Sequence, residues 1–114
     1  MTTREFAAIA ERLDCLADEM RDVAKMLASN KAGTTIGPHV SMLDLTARRV
    51  SQILRRHLPY ADNAMHLAGE LESWRDIWRG WAELPSNQQI DAIRAVCLLY
   101  ASRFIASRAQ ELRT

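Results

Sequence analysis

The fold is decided by residues 6–27, FAAIAERLDCLADEMRDVAKML. Large apolar residues recur there at alternating intervals of three and four, at Phe6, Ile9, Leu13, Leu16, Met20, Val23 and Leu27. This heptad spacing is typical of one apolar stripe along an α-helix, as in coiled coils, whereas a strand would need a period of two. We therefore predict a first helix over about residues 3–29.

Alanine occupies the same heptad position in each repeat beside this stripe, at Ala10, Ala17 and Ala24. A parallel two-stranded coiled coil more often has charged residues at that position, which set the pairing. Small side chains widen the apolar stripe and let a neighbouring backbone approach closely. We therefore expect the helix to pack in a bundle or an antiparallel pair rather than in a free zipper.

Three further helices are predicted, over about residues 41–58, 60–83 and 87–112. Helix-breaking residues separate them: the Gly37-Pro38 step precedes the second, Pro59 follows it, and Pro85 precedes the fourth. We expect Ser41 and Ser86 to cap the second and fourth helices, because each has a capping-box partner three residues later.

The composition is that of one small helical domain, residues 1–114. The chain is 48% hydrophobic, enough for a modest core. The net charge alternates along the chain. Residues 1–30 have six acidic and four basic residues, and residues 59–85 have five acidic and two basic. Residues 41–58 have one acidic and four basic residues, and residues 86–114 have two acidic and four basic. Opposite charge on successive helices favours antiparallel neighbours, so we predict an all-α antiparallel four-helix bundle.

The fourth predicted helix has more apolar residues than a single stripe requires. One set has heptad spacing: Ile90, Ile93, Cys97, Tyr100 and Phe104. Val96, Leu98, Leu99 and Ile105 lie elsewhere around the same helix. A helix that is apolar on most sides is either central or covered by another subunit. A homodimer is therefore also expected.

The second predicted helix has a basic face. Its residues 45–56, LTARRVSQILRR, resemble the recognition helix of a helix-turn-helix protein. The resemblance implies that Thr46 opens the helix and that DNA contacts come from Arg48, Arg49, Ser51, Gln52, Arg55 and Arg56. Arginine and glutamine can bind base edges through two hydrogen bonds, and arginine also binds phosphates. The alternative is a solvated arginine face opposite an apolar stripe, partly paired with the acidic helices.

All three tryptophans lie on one side of the third predicted helix. Trp74, Trp78 and Trp81 follow the three- and four-residue steps of its apolar stripe, and Arg75 and Arg79 lie beside them. One interpretation makes the tryptophans bulky core residues. The other makes these five residues a partner-binding site, because tryptophan and arginine are enriched where proteins bind each other most tightly.

The sequence contains no signature of catalysis, of a metal site or of a bound cofactor. His66 and Glu70 have the four-residue spacing of two ligands on one helix, but no second such pair accompanies them. Cys15 and Cys97 are expected to be reduced, and neither a signal peptide nor a membrane span is predicted, so we expect a cytoplasmic protein.

These observations favour a non-catalytic protein that binds another protein, such as an adaptor, an inhibitor or a regulatory subunit. The alternative is a DNA-binding transcriptional regulator that uses residues 46–56. The two differ in salt dependence, because binding to several phosphates weakens steeply as salt is added.

Overall fold

A computed structural model of the chain describes residues 3–29, 37–57, 62–83 and 87–113. They form four α-helices: α1 (Thr3–Ala28), α2 (Gly37–His57), α3 (Asp62–Glu83) and α4 (Gln88–Arg113). The described residues include no strand. The molecule measures 47 × 22 × 18 Å, as expected for helices of up to 26 residues lying side by side. The predicted all-α fold is confirmed.

Helix α1 packs on α4, α2 packs on α3, and α1 also contacts α2. Ion pairs show the direction of the second pair. Arg55, near the end of α2, contacts Glu72 in the middle of α3, while Asp44, in the first half of α2, contacts Arg75 further along α3. These two helices therefore run antiparallel.

Polar contacts give the same relation between α3 and α4. Arg108, late in α4, pairs with Glu70 in the first half of α3 at 3.2 Å. Arg94, early in α4, donates a hydrogen bond to the backbone carbonyl of Trp81 near the end of α3. The ion pair between Arg113 and Asp14 links α4 to α1. Oppositely charged helices are thus neighbours, as the alternation of charge along the chain predicts.

The predicted apolar stripe of α1 forms the centre of the core. Every member of it is buried except Phe6, which is partly buried and packs against the others. Ala10, Ala17 and Ala24 are also buried, which confirms the wider stripe. The opposite face is solvated, with exposed charges at positions such as Asp18 and Lys25.

The predicted start of α2 at Ser41 is wrong, because the helix begins at Gly37. Pro38 lies in its first turn, where a backbone N–H has no partner within the helix, so proline loses nothing there. Ser41 and Asp44 are therefore inside the helix and do not form a capping box. Asp44 instead accepts a hydrogen bond from Arg75 at 2.8 Å.

The heptad-spaced residues of α4 do not form its buried face. Ile93, Tyr100 and Phe104 are exposed, and Ile90 and Cys97 are only partly buried. The buried face consists of mostly small or polar residues: Asp91, Arg94, Ala95, Leu98, Ala101, Ser102, Ile105 and Ala109. Alanines on the buried faces of both helices let α1 and α4 approach closely, and theirs is the most extensive helix contact in the bundle.

Asn87 caps α4. Its side-chain oxygen accepts the backbone N–H of Ile90 at 2.9 Å, and its backbone carbonyl accepts the N–H of Asp91 at 2.9 Å. This is the N-cap arrangement, in which the cap side chain satisfies an N–H of the first turn. The cap lies one residue after the predicted Ser86, which is outside the described residues.

Candidate functional site

The tryptophans of α3 belong largely to the core. Trp78 is 0% exposed and is the largest fully buried side chain among the described residues. Trp74 stacks on it with ring centroids 6.2 Å apart, and Trp81 is partly buried beneath the guanidinium of Arg94. Because Trp78 does not reach the surface, we withdraw it from the predicted partner-binding site.

The two arginines of the same predicted site turn towards α2. Arg75 is mostly buried and donates a hydrogen bond to Asp44 at 2.8 Å. Arg79 is exposed, and its Nε lies 3.5 Å from the same carboxylate. Of the predicted site, therefore, only Arg79 is well exposed, with parts of Trp74 and Trp81. That is a weak anchor for a partner.

The basic face of α2 divides into used and unused residues. Ser51 is only 2% exposed and donates to the carbonyl of Arg48, so it cannot contact DNA as predicted. Arg55 forms two hydrogen bonds with Glu72, at 2.6 and 2.7 Å. These hydrogen bonds raise the pKa of Arg55 and lower the pKa of Glu72, because each charge stabilises the other.

The remaining polar residues of this face are accessible to solvent. Arg48, Arg49, Gln52 and Arg56 are all exposed. None of the three arginines forms an ion pair with any residue that the structure describes. They form a basic patch on the outer side of the second half of α2.

The predicted helix-turn-helix geometry is wrong. A recognition helix that opened at Thr46 would need a turn just before it, but α2 is continuous from Gly37 to His57. Thr46 does not cap the helix. Its hydroxyl lies within hydrogen-bond distance of the Met42 carbonyl, 3.1 Å away, and of the Glu19 carboxylate, 3.2 Å away.

In the described part of the chain, two grooves lie between neighbouring helices. One, of about 440 Å³, lies between α1 and α2, and the charged residues of its lining are Glu11, Arg12 and Arg49. The other, of about 300 Å³, lies between α3 and α4, and its lining includes His66 and Arg108. Hydrogen bonds to acidic partners, first Glu70 and then Glu111, raise the pKa of Arg108. The arginine is thus already engaged within the protein.

No described part of the chain brings together three or more His, Cys, Asp or Glu side chains that could hold a metal ion. His66 and Glu70, whose spacing suits two metal ligands on one helix, gain no further ligand there. Glu70 instead forms an ion pair with Arg108.

The most unusual surface of the described chain is the outward side of α4. We call it the α4 outer stripe, defined by Ile93, Val96, Leu99, Tyr100 and Phe104. Their exposed fractions run from 41% for Leu99 to 67% for Val96. The rings of Tyr100 and Phe104 contact each other edge to face, with centroids 5.1 Å apart. The stripe covers about three turns of one helix.

This stripe has little charge near it. Arg94 is the one charged residue in positions 92–102, and it is buried with Asp91, to which it donates a hydrogen bond at 3.1 Å. Arg103 is exposed and, seven residues after Val96, lies on the same side of α4 as the stripe. Exposed faces of helices normally have more charged residues that keep them solvated. A large apolar surface with so little charge is typical of a binding site.

The sequence of α4 contains two competing heptad patterns, and the periodicity does not show which of the two faces the core. Leu98, Ser102, Ile105 and Ala109 are spaced by four, three and four residues, a heptad pattern that competes with the one at Ile93 and Tyr100. The larger side chains belong to the pattern of Ile93 and Tyr100, which the structure exposes. No pattern in the sequence indicates that Asp91 and Arg94 are buried together.

No protein-family model, no curated protein and no solved structure matches this chain. None of the helices formed by the described residues is both long enough and apolar enough to span a membrane.

Proposed function

We propose that this chain is a small, non-catalytic interaction protein that binds another protein through the α4 outer stripe. The observation that supports it is the exposure of Ile93, Val96 and Tyr100, at 62–67% each, on a helix face where Arg103 is the one exposed charge in residues 93–104. The proposal keeps the adaptor, inhibitor or regulatory role predicted from the sequence and moves its site from the tryptophans of α3 to the outside of α4.

The size of the stripe supports a binding role. A fully exposed large side chain presents on the order of 200 Å², so the exposed fractions of these five residues add up to roughly 500 Å² of mostly apolar surface. That is comparable to the largest apolar patch of a typical monomer, and such patches often bind partners. Aromatic side chains are also enriched at the centre of protein interfaces.

Affinity capture with a tagged chain tests the proposal. Val96→Glu places a charge in the middle of the stripe without disturbing the core, because Val96 points into solvent. Leu45→Glu is the matched control, since Leu45 is an exposed apolar residue, 44% accessible, on α2 and away from the stripe. A protein recovered with the wild type and with Leu45→Glu, but lost with Val96→Glu, is the expected result. Equal recovery by all three chains would refute the proposal.

A second candidate function is nucleic-acid binding through the basic patch of α2. It is favoured by the exposure of Arg48, Arg49 and Arg56, none of which is paired with a described acidic residue. Binding of a random-sequence DNA duplex, measured by fluorescence anisotropy at rising salt, tests it. Three phosphate contacts would give a slope of log K against log salt near −3. Arg48→Ala combined with Arg49→Ala should reduce that slope by about two, and absence of binding at low salt would exclude this function.

A further inference from the structure

We infer that the partner of the α4 outer stripe is a second copy of this chain, bound with its α4 antiparallel to the first. The inference rests on the proposed function, because it names the partner of the same surface. It depends on three properties of the outward side of α4: the spacing of its residues, its low charge, and its apolar area.

Four residues on the outward side of α4 have a spacing that reads the same in both directions: three members of the stripe and Cys97, which is partly buried beside them. Ile93, Cys97, Tyr100 and Phe104 are separated by four, three and four residues. In a two-fold symmetric dimer the same patch must contact itself in reverse. With the two-fold axis between residues 98 and 99, Ile93 of one copy lies level with Phe104 of the other. Cys97 then lies level with Tyr100 of the other copy.

This register places large side chains against smaller ones. Both aromatic rings face a smaller residue, Phe104 against isoleucine and Tyr100 against the partly exposed Cys97, which packs as a small apolar side chain. A parallel pairing would instead bring each aromatic ring against its own counterpart. Alternation of large and small side chains across a helix pair is what lets the two surfaces interdigitate.

The low charge of the stripe makes a second copy an acceptable occupant. The outer face of α1 has exposed charges of both signs, such as Asp18 and Lys25, which self-association would remove from water, and the arginines of α2 would repel an identical face. In residues 92–104 the one exposed charge is Arg103, because Arg94 is buried. Of the outward helix faces described, that of α4 is therefore the most compatible with itself.

The area also matches a dimer. Roughly 500 Å² of apolar surface from each copy gives about 1,000 Å² in total before any contribution from flanking helices, and specific interfaces start at about that size. Ile77 is exposed on α3 and lies seven residues after Glu70, which pairs with Arg108 of α4. Because seven residues are close to two helical turns, Ile77 lies on the same side of α3 as Glu70, the side that contacts α4. It is positioned to extend the contact at the edge of the stripe.

Sedimentation equilibrium of the purified chain tests the inference. We expect a mass of twice 12.9 kDa at about 100 μM, where a dimer with a Kd of about 10 μM or tighter is mostly assembled. Val96→Glu should weaken the dimer by about 100-fold or more, since it places an unpaired carboxylate in an apolar contact. Leu45→Glu should leave the mass unchanged, and circular dichroism should show the same helical content for all three.

A wild-type mass of 12.9 kDa at every protein concentration up to that one would overturn the inference. So would a dimer that Val96→Glu does not weaken, because that dimer would use another surface. A monomeric wild type that still loses a different captured protein on Val96→Glu would overturn the inference alone and leave the proposed function standing.

Cross-linking tests the antiparallel register. Ile93→Cys and Phe104→Cys are each made in a chain whose Cys15 and Cys97 are replaced by alanine, and are treated with a short bismaleimide that spans the helix spacing of about 8–10 Å. We expect a cross-linked dimer when the two variants are mixed and little when either is treated alone. Cross-linking of each variant with itself, but not of the mixture, would overturn the antiparallel arrangement.

Discussion

Truncation of Trp78 tests whether the tryptophans are core residues. The side chain is fully buried, and its replacement by alanine removes about 200 Å² of buried surface, equivalent to roughly 5 kcal/mol. The indole N–H is buried without a hydrogen-bond partner among the described residues, a cost of about 1–3 kcal/mol that the truncation relieves. We therefore predict that Trp78→Ala lowers the free energy of unfolding by about 3 kcal/mol.

The assay is urea unfolding followed by circular dichroism, because the substitution itself changes the tryptophan fluorescence. In a separate thermal unfolding experiment, a loss of about 3 kcal/mol should lower the melting temperature by on the order of 10 °C in a domain of this size. Trp81→Ala is the matched control, since Trp81 lies on the same side of α3 but is only partly buried. Its loss of stability should be clearly smaller.

A loss below about 1 kcal/mol for Trp78→Ala would refute this reasoning, because truncation of an aromatic side chain in a packed core typically costs about 3–5 kcal/mol. The same result would return Trp78 to the surface of α3. An equal loss for the two variants would also contradict the account, since it would mean that burial of the two rings does not differ.

Three further predictions concern stability. Arg94→Ala leaves the buried carboxylate of Asp91 without the ion pair seen at 3.1 Å, and should lower the free energy of chemical unfolding by about 3–5 kcal/mol. Replacement of both residues by apolar ones of similar size should cost far less. Equal losses for the single and the double variant would contradict the buried pair. Asn87→Ala removes the cap of α4 and should cost about 0.5–2 kcal/mol in thermal unfolding, while an aspartate there should preserve the cap; equal stability of all three chains would place the cap elsewhere. The hydrogen bonds from Arg55 lower the pKa of Glu72 in the folded chain, so the stabilisation is present above its ordinary value of 4.5 and is lost as the pH falls below it. Glu72→Gln should therefore make urea stability depend less on pH in that acid range, and an unchanged acid slope would show that the pair does not couple to folding.

The helices were predictable where one face of the helix was apolar and the other charged. In α1, Leu13 and Met20 alternate with Asp14, Asp18 and Asp22 in such a way that one rotation buries the first set and exposes the second. In α4 both faces are free of exposed charge over three turns, so periodicity alone allowed two rotations. The choice depended on tertiary packing, which favoured the alanine-rich face against α1.

The candidate site was less predictable than the fold. The start of α2 was missed because proline was expected to break the helix, although Pro38 lies in the first turn, where it is tolerated. The tryptophans of α3 have the periodicity of a core and the composition of an interface, and only their burial distinguishes the two. Ser51 lies among arginines in the sequence yet points into the bundle.

Hydroxyl-radical footprinting of the wild-type chain over a concentration series tests most directly that the α4 outer stripe binds a second copy of the chain. In the single chain Tyr100 and Phe104 are 62% and 46% exposed, and Met42 on α2 is 45% exposed and serves as the internal reference. The account predicts that oxidation of Tyr100 and Phe104 falls together as the chain self-associates, while oxidation of Met42 stays constant. Constant oxidation of both aromatic residues at every concentration, or protection of Met42 instead, would contradict it.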